Sequence, residues 1–290
     1  MPVYDRDTAL RFPLKVPDLQ RIVREALDED KAFNDITTIA TVVSDRRARA
    51  TFVARGAGTL AGMALALEAF RLLDPKVAIR IDREDGWRVA EGEALFVVTG
   101  HARGLLGAER VALNFMQRLS GIATLTARFV DIVEGTGARI LDTRKTTPGW
   151  RALEKYAVRA GGGHNHRMDL ASGVLIKDNH LAACEGDVAL AVRRAREMAP
   201  TGLQIEVECE TPEQVRAAVD AGAHMVLLDN MALEPMRESV RIAKGRAKTE
   251  ASGGVTLGTV RSIAETGVDR ISVGSLTHSA PALNLALDFD

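Results

Sequence analysis

The sequence is poor in cysteine and in net charge, and each shortage excludes a class of protein. Two cysteines, Cys184 and Cys209, stand among 290 residues, too few for the disulfide framework of a secreted scaffold. The formal net charge is −1 with a pI near 6.6, so the chain lacks the global positive field of a nucleic-acid-binding protein. Any recognition of anions must therefore come from a local cluster of cations.

Long apolar runs are missing as well. The most apolar stretch, 60–73, is interrupted by Glu68 and Arg71 and is too short to span a bilayer. The first residues, M-P-V-Y-D-R-D, contain neither a basic leader nor an apolar core, so no secretory signal is predicted. We therefore expect a cytoplasmic protein whose partners include neither nucleic acid nor a membrane.

The pattern of predicted helices and strands changes near residue 138. Before it, apolar spacing predicts an amphipathic helix, short β-like runs punctuated by glycine turns, and a long helix over 105–133 that breaks near Ser120–Gly121. We predict an N-terminal α/β domain with its connecting helix over 1–123 and a catalytic α/β domain over 124–290. Whether the C-terminal tail returns to the N-terminal domain is left open.

The second half alternates strands and helices, which is the pattern of parallel βαβ units. The predicted strands are 139–142, 163–167, 173–177, 203–208, 224–229, 247–251 and 270–273. This pattern fits a barrel or an open doubly wound sheet, but no G-x-G-x-x-G follows the first strand, so the main Rossmann signal is absent. Two glycine turns after the last two strands favour a barrel, because such turns bind phosphate there. They are Ser252-Gly253-Gly254 and Val273-Gly274-Ser275.

Polar side chains accumulate where the predicted strands end, and in a barrel these ends form the catalytic mouth. Glu206 and Glu208 face the same way because side chains alternate along a strand. Many cations in a chain with no net positive charge imply a small ligand with several negative groups. Carboxylates beside them imply a divalent metal or ribose hydroxyls. A pyrophosphorylated sugar phosphate held with Mg²⁺ satisfies both demands. The residues concerned are Arg144, Lys145, His166, Arg167, Lys177, Glu206, Glu208 and Asp229.

Several motifs closely resemble those of the quinolinate phosphoribosyltransferase family, and the likeness runs from about residue 19 to residue 289. Asn34 departs from the family, which usually has glycine there. The motifs are E-R-V-A-L-N-F-M-Q-R-L-S-G-I-A-T at 109–124, D-T-R-K-T-T-P-G at 142–149, E-K-Y-A-V at 154–158, G-G-G-H-N-H-R at 161–167, V-L-I-K-D-N-H at 174–180, L-D-N at 228–230 and A-S-G-G at 251–254.

The resemblance implies a pentosyltransferase that joins quinolinate to phosphoribosyl pyrophosphate with Mg²⁺ and releases CO₂, giving nicotinate mononucleotide for NAD biosynthesis. It implies an N-terminal α/β sandwich and an incomplete, seven-stranded α/β barrel. It also implies a homodimer with shared active sites, and assembly of dimers into a hexamer is left open.

The resemblance also assigns roles to individual residues. Arg144, His166 and Arg167 would hold the quinolinate carboxylates, with Arg110 arriving from the partner subunit. Lys145 and Lys177 would contact phosphoribosyl pyrophosphate, and Glu208 and Asp229 would bind ribose hydroxyls and Mg²⁺. These last four form the predicted catalytic set, and Glu206 is a supporting neighbour. The remaining predicted substrate contacts are Thr143 and, for the 5′-phosphate, Ser252, Gly253, Gly254, Val273, Gly274 and Ser275.

Simpler interpretations stay open for some of these residues. Arg110 could be an ordinary helix-surface charge, the two glutamates could lie on an exposed edge strand, and Asp229 could cap a helix. Three other functions compete: a relative with a different aromatic acceptor, a generic phosphate-binding barrel such as a lyase or isomerase, and a barrel that serves as a scaffold or sensor. The second would need an acid–base pair, which the sequence does not locate.

Overall fold

The computed structural model describes residues 10–290, and their contacts divide the chain into two compact units. The first unit contains the described residues up to Ala127, together with Thr147–Gly162 and Ser279–Asp290. The second contains Arg128–Thr146 and Gly163–His278. This division is discontinuous, whereas the sequence-based prediction placed a single boundary after residue 123. The C-terminal segment lies in the first unit.

Helices and strands alternate along most of the chain. None of the helices within 10–290 is long and apolar enough to cross a membrane. The elements up to residue 133 are α1 (Val16–Glu29), α2 (Ile36–Thr41), β1 (Arg47–Ala54), β2 (Gly58–Thr59), α3 (Met63–Leu73), β3 (Ala78–Ile81), β4 (Arg88–Val89), β5 (Ala94–His101) and α4 (Ala102–Val133). Those that follow are β6 (Arg139–Leu141), α5 (Arg151–Ala160), β7 (Val174–Ile176), α6 (Asp178–Ala182), α7 (Val188–Met198), β8 (Ile205–Cys209), α8 (Pro212–Asp220), β9 (Met225–Asp229), α9 (Leu233–Ala243), β10 (Lys248–Ser252), α10 (Val260–Ala264), β11 (Arg270–Ser272), α11 (Ser275–His278) and β12 (Leu285–Phe289).

The first unit is built on an antiparallel sheet with strand order β12-β1-β5-β3. Its core is aromatic: the rings of Phe52 and Phe96 stack with their centroids 4.6 Å apart, and Phe70 of α3 meets Phe96 edge-on. Such pairs stabilise a core beyond the apolar area that they bury. The C-terminal strand β12 completes the sheet by pairing with β1.

Helix α4 runs without interruption through Ser120 and Gly121, so the predicted break at this point is wrong. The glycine is needed for packing instead. A Cβ atom on Gly121 would lie 2.1 Å from the carbonyl oxygen of Pro281, so a side chain there would collide with the C-terminal segment. Glycine in a helix interior costs about 1 kcal/mol relative to alanine, and here the close backbone approach offsets that cost.

The second unit contains a sheet of six parallel strands in the order β6-β11-β10-β9-β8-β7. This is the order of an α/β barrel that stays open beside β7. The predicted strand over 163–167 is reduced to one parallel bridge, between Leu141 and His164. The ladder stops there because the Asp142 carboxylate takes the next backbone donor, His166 N, at 2.9 Å. The same carboxylate also accepts from the side-chain Nδ2 of Asn165 at 2.5 Å. The predicted barrel is present, and its second strand is this single bridge.

Candidate active site

Strand β8 separates its side chains into two chemically different faces. Ile205, Val207 and Cys209 are buried apolar side chains on one face, and helices α7 and α8 pack on this strand. Glu206 and Glu208 occupy the other face, as the alternation of side chains requires. Since β8 pairs with both β7 and β9, it is not an edge strand, and the exposed-edge interpretation of its glutamates does not hold.

The carboxyl ends of the parallel strands bring most of the predicted site residues to one edge of a single sheet. In strand order, the edge carries Arg144 and Lys145 after β6, Gly274 after β11, Ser252–Gly254 after β10, Asp229 at the end of β9, Glu208 near the end of β8, and Lys177 after β7. His166 and Arg167 follow the bridge beside β6. Cations thus lie at both ends of this edge, with the carboxylates and the glycine turns between them.

The cationic group beside β6 contains two arginines whose charges repel each other. Burial and the charge of Arg144 both lower the pKa of Arg167, although an arginine stays protonated under all ordinary conditions. Arg167 Nη1 donates to the carbonyl oxygen of Gly173 at 2.9 Å, which fixes its guanidinium group. Two half-buried guanidinium groups whose charges act on each other could bind an anion with more than one carboxylate.

The loop after β6 is tied to the turn after β11. The Thr277 hydroxyl donates to the carbonyl oxygen of Lys145 at 2.7 Å, and Lys145 N donates to the Thr143 hydroxyl at 3.1 Å. A Cβ atom on Gly274 would lie 3.2 Å from Lys145 Cδ. The Lys145 side chain therefore lies against the β11 turn, whose backbone N–H groups could bind a phosphate.

The turn after β10 fixes Asp229. Gly253 has φ +90°, and a Cβ atom there would lie 2.3 Å from Asn230 Oδ1, so the turn requires glycine. Asn230 N donates to the carbonyl oxygen of Ser252 at 2.9 Å, and Asn230 Nδ2 donates to Asp229 Oδ2 at 2.7 Å. The next helix, α9, begins at Leu233 and has Ala232 at its N-cap. Asp229 is therefore not a helix cap, which removes the simpler interpretation of this residue.

At the other end of the edge, the Lys177 ammonium group forms an ion pair with the Glu208 carboxylate. The Glu208 side chain is only 13% exposed, whereas the Lys177 side chain is 45% exposed. The carboxylate is therefore held in place from one side, while the lysine can turn toward a ligand.

Beneath this edge lies a group of three residues, of which sequence reasoning singled out two. His166 Nε2 lies 3.1 Å from Glu206 Oε2 and 3.5 Å from Glu250 Oε1. Glu206 is 2% exposed and Glu250 is fully buried. Glu250 was missed, although a signal was present: it stands two residues before Ser252, just as Glu206 stands two residues before Glu208, so it shares a strand face with a predicted site residue.

One predicted site residue lies in the first unit. Arg110 is on α4, in the first unit, and its side chain is exposed. All the other predicted residues, from Thr143 to Ser275, belong to the second unit. The second unit therefore assembles the whole predicted barrel site, and the role of Arg110 stays a prediction.

Comparison with known proteins matches both parts of the chain to the family that its motifs resemble. A family model described as quinolinate phosphoribosyl transferase, N-terminal domain, matches residues 35–120, and the corresponding C-terminal domain model matches residues 122–288. A probable nicotinate-nucleotide pyrophosphorylase [carboxylating] of Bacillus subtilis is 43% identical over 93% of this chain and 93% of its own length. A nicotinate-nucleotide pyrophosphorylase [carboxylating] of Mycobacterium leprae is 45% identical over 92% of this chain and 95% of its own.

Solved structures share the fold. The crystal structure of NadC from Streptococcus pyogenes is similar with a TM-score of 0.91 and 38% identity, covering 96% of this chain and 99% of that one. The nicotinate-nucleotide pyrophosphorylase from Francisella tularensis has a TM-score of 0.89 and 37% identity, covering 97% and 99%.

Proposed function

The chain belongs to the quinolinate phosphoribosyltransferase family, and from that premise we propose that it transfers a phosphoribosyl group from phosphoribosyl pyrophosphate to quinolinate. The products would be nicotinate mononucleotide, CO₂ and pyrophosphate, in the biosynthesis of NAD. One observation carries the proposal: cations, carboxylates and glycine turns meet at one edge of one parallel sheet. We also propose that the protein acts in the cytoplasm, although some plant relatives carry the words chloroplastic or mitochondrial in their names.

The types of cation at the edge support separate binding sites for the two anionic substrates. Arg144 and Arg167 would bind the quinolinate carboxylates, because a guanidinium fork pairs with a carboxylate bidentately. Lys145 and Lys177 would bind phosphoribosyl pyrophosphate, because an ammonium group acts as a mobile point charge on phosphates. The turns after β10 and β11 would hold the 5′-phosphate on backbone N–H groups.

The carboxylates fit a magnesium ion. Glu208 and Asp229 lie on neighbouring strands, at their carboxyl ends and on the same face of the sheet, and both are half-buried. Mg²⁺ usually binds one or two carboxylates together with substrate phosphates. When bound, the ion would neutralise charge that develops on the departing pyrophosphate. We propose Mg²⁺ as the cofactor on the basis of this donor set.

The proposed reaction depends on stabilising the charges that develop on both substrates, and less on proton transfer by the protein. The quinolinate ring nitrogen attacks the anomeric carbon of the ribose while the bond to pyrophosphate breaks, and it needs no base because it carries no proton. Lys145 and Lys177 would stabilise the leaving pyrophosphate, and Glu208 and Asp229 would stabilise the positive charge that grows on the ribose.

Loss of CO₂ follows from the first step. When the carboxylate on the adjacent ring carbon leaves as CO₂, the electron pair of the broken bond stays on that carbon, where the positive charge of the alkylated nitrogen stabilises it. That carbon then takes a proton from water. The mechanism needs no covalent enzyme intermediate and no acid–base pair.

The proposal is tested by incubating the purified protein with quinolinate, phosphoribosyl pyrophosphate and Mg²⁺ and measuring CO₂ and nicotinate mononucleotide. We expect both products in equal amounts, and no product when nicotinate replaces quinolinate. Turnover of nicotinate without CO₂ would instead assign the protein to another aromatic acceptor. No turnover of either acid would contradict the proposed function.

A further inference from the structure

The hydrogen bonds of His166 define which ring nitrogen carries the proton. Arg167 N donates to His166 Nδ1 at 2.7 Å, so Nδ1 is an acceptor. A neutral imidazole has one donor nitrogen and one acceptor nitrogen. Nε2 is therefore the donor, and it points at Glu206 and Glu250.

This assignment decides what the three residues can do together. Their ligand atoms lie within 4.8 Å of one another, close enough for a metal site. A metal on His166 Nε2 would need the lone pair of that nitrogen, but Nε2 holds a proton as long as Nδ1 accepts from Arg167. The arrangement is therefore a hydrogen-bonded group in which an N–H faces two acceptors, and not a metal site.

A purely structural role does not explain two buried glutamates here. Within the described chain, Glu206 Oε1 and both carboxylate oxygens of Glu250 lack a hydrogen-bond partner. Buried carboxylate oxygens without hydrogen-bond partners are costly, and replacing such residues with apolar ones of similar size often makes a protein more stable. Such costs persist mainly at functional sites.

We propose that Glu206 and Glu250 are positioning residues for the quinolinate end of the site. Glu206 Oε2 accepts from the Nε2–H of His166, and the Glu250 carboxylate attracts the same N–H from 3.5 Å. Nδ1 therefore stays an acceptor and fixes the peptide N–H of Arg167, and with it the start of the Arg167 side chain. The backbone position of Arg167 in turn sets where its guanidinium group can meet a quinolinate carboxylate. This inference rests on the proposed function for the identity of the substrate.

Two double variants test the proposal with the same change of charge. Glu206→Leu/Glu250→Leu and Glu206→Gln/Glu250→Gln both remove two carboxylates, but only the Gln pair keeps amide oxygens that can accept from His166 Nε2. We expect the Leu pair to raise the KM for quinolinate about tenfold, roughly the effect of one hydrogen bond, with the KM for phosphoribosyl pyrophosphate changed less than about twofold. The Gln pair should keep the KM for quinolinate within about threefold of wild type.

A matched control separates positioning from a general loss of stability. Asp269 lies beside the first residues of β10, at the end of the strand away from the predicted site. Its carboxylate accepts from Lys248 Nζ at 2.8 Å and from Thr249 N at 2.9 Å. Asp269→Asn should weaken the barrel without changing the ratio of the two KM values. If the Leu and Gln pairs have the same KM for quinolinate, or if the Leu pair raises both KM values equally, the proposal is wrong.

The tautomer can be measured independently of activity, by long-range ¹H–¹⁵N NMR of histidine-labelled wild-type protein, with His166 assigned from a His166→Gln spectrum. We expect a protonated Nε2 and a bare Nδ1; a protonated Nδ1 overturns the proposal even if the Leu pair does not fold. Wild-type turnover of quinolinate tests the proposed function separately. If the wild type turns over quinolinate and the Leu and Gln pairs behave alike, only the positioning role fails.

Discussion

We propose that the charged side chains at the carboxyl edge of the sheet bind different ligands, so single substitutions should separate their effects. We expect Arg167→Ala to weaken the binding of quinolinate roughly 10- to 100-fold, the range for a lost hydrogen bond to a charged group, and to affect phosphoribosyl pyrophosphate much less. Lys177→Ala should do the reverse. Isothermal titration calorimetry with each ligand measures both affinities.

An exposed arginine in the same unit provides the control for that pair. Arg246 forms a surface ion pair with Asp220, and Arg246→Ala should leave both affinities unchanged, because such pairs contribute little. Equal losses for both ligands in Arg167→Ala and Lys177→Ala would contradict the division of labour.

The buried carboxyl of Glu250 makes stability depend on pH. Burial and the charge of Glu206 raise the pKa of Glu250 from 4.5 to about 7, against the opposing effect of His166. Between these two values the folded protein binds a proton that the unfolded chain has released. Stability should therefore fall as the pH rises through this window.

Glu250→Gln removes this penalty because an amide does not titrate. Relative to wild type, we expect the variant to gain on the order of 2 kcal/mol at pH 8 and much less at pH 5, as measured by chemical denaturation. Asp269→Asn is the control: although burial opposes the shift, bonds from Lys248 and Thr249 hold the pKa of Asp269 below 3.8. Its effect should be the same at pH 6 and pH 8. A gain for Glu250→Gln that does not depend on pH would contradict the buried ionisation.

Among the elements, α4 gives the sharpest test of packing. Gly121→Ala gains about 1 kcal/mol of helix propensity. However, its Cβ atom would lie 2.1 Å from the carbonyl oxygen of Pro281, and this backbone atom cannot move aside as the end of a side chain could. Overpacking costs about 1–3 kcal/mol or more, so we expect a net loss and a thermal midpoint several degrees lower. Gly56→Ala, whose Cβ atom would meet no atom within 4 Å, should change the midpoint little. A higher thermal midpoint for Gly121→Ala would show that the C-terminal segment around Pro281 moves to make room for the added methyl group.

The elements that could be predicted are those whose signal is local. Alternation of strands and helices after residue 138 predicted the parallel sheet, and the period of two along β8 placed Glu206 and Glu208 on one face. The break in α4 and the strand over 163–167 were wrong because their causes are distant in sequence. A contact with Pro281 requires the glycine in α4. The Asp142 carboxylate takes the backbone N–H of His166, which would have extended the strand.

The same limit explains what was missed in the site. Lys177, Glu208 and Asp229 could be predicted because each comes at the end of a strand, where a barrel places its chemistry. Glu250 lies in the middle of its strand, and it contacts His166, a residue far from it in the chain. Such contacts depend on the register of β10 and β8 against β9, which the sequence pattern does not specify.

At the scale of the whole molecule, the position of Arg110 bears on how the protein assembles. It is exposed and lies in the unit that does not carry the barrel site, and we propose that the protein is a homodimer in which Arg110 of the partner subunit completes each site. Arg110→Ala and Lys177→Ala homodimers should both be nearly inactive. A mixed dimer would contain one site with an intact barrel and an intact Arg110, and one site that lacks both groups.

Random exchange of equal amounts gives mixed dimers as half of the population, each with one working site, so we expect activity to recover to roughly a quarter of wild type. The control mixes Arg167→Ala with Lys177→Ala. Both substitutions lie in the barrel unit, so every barrel in every dimer stays defective and no activity should return. Exchange is verified by mass spectrometry of chains carrying different tags. If exchange is complete and the Arg110→Ala mixture stays as inactive as the control, then Arg110 does not act across a subunit boundary, and the shared-site dimer is wrong.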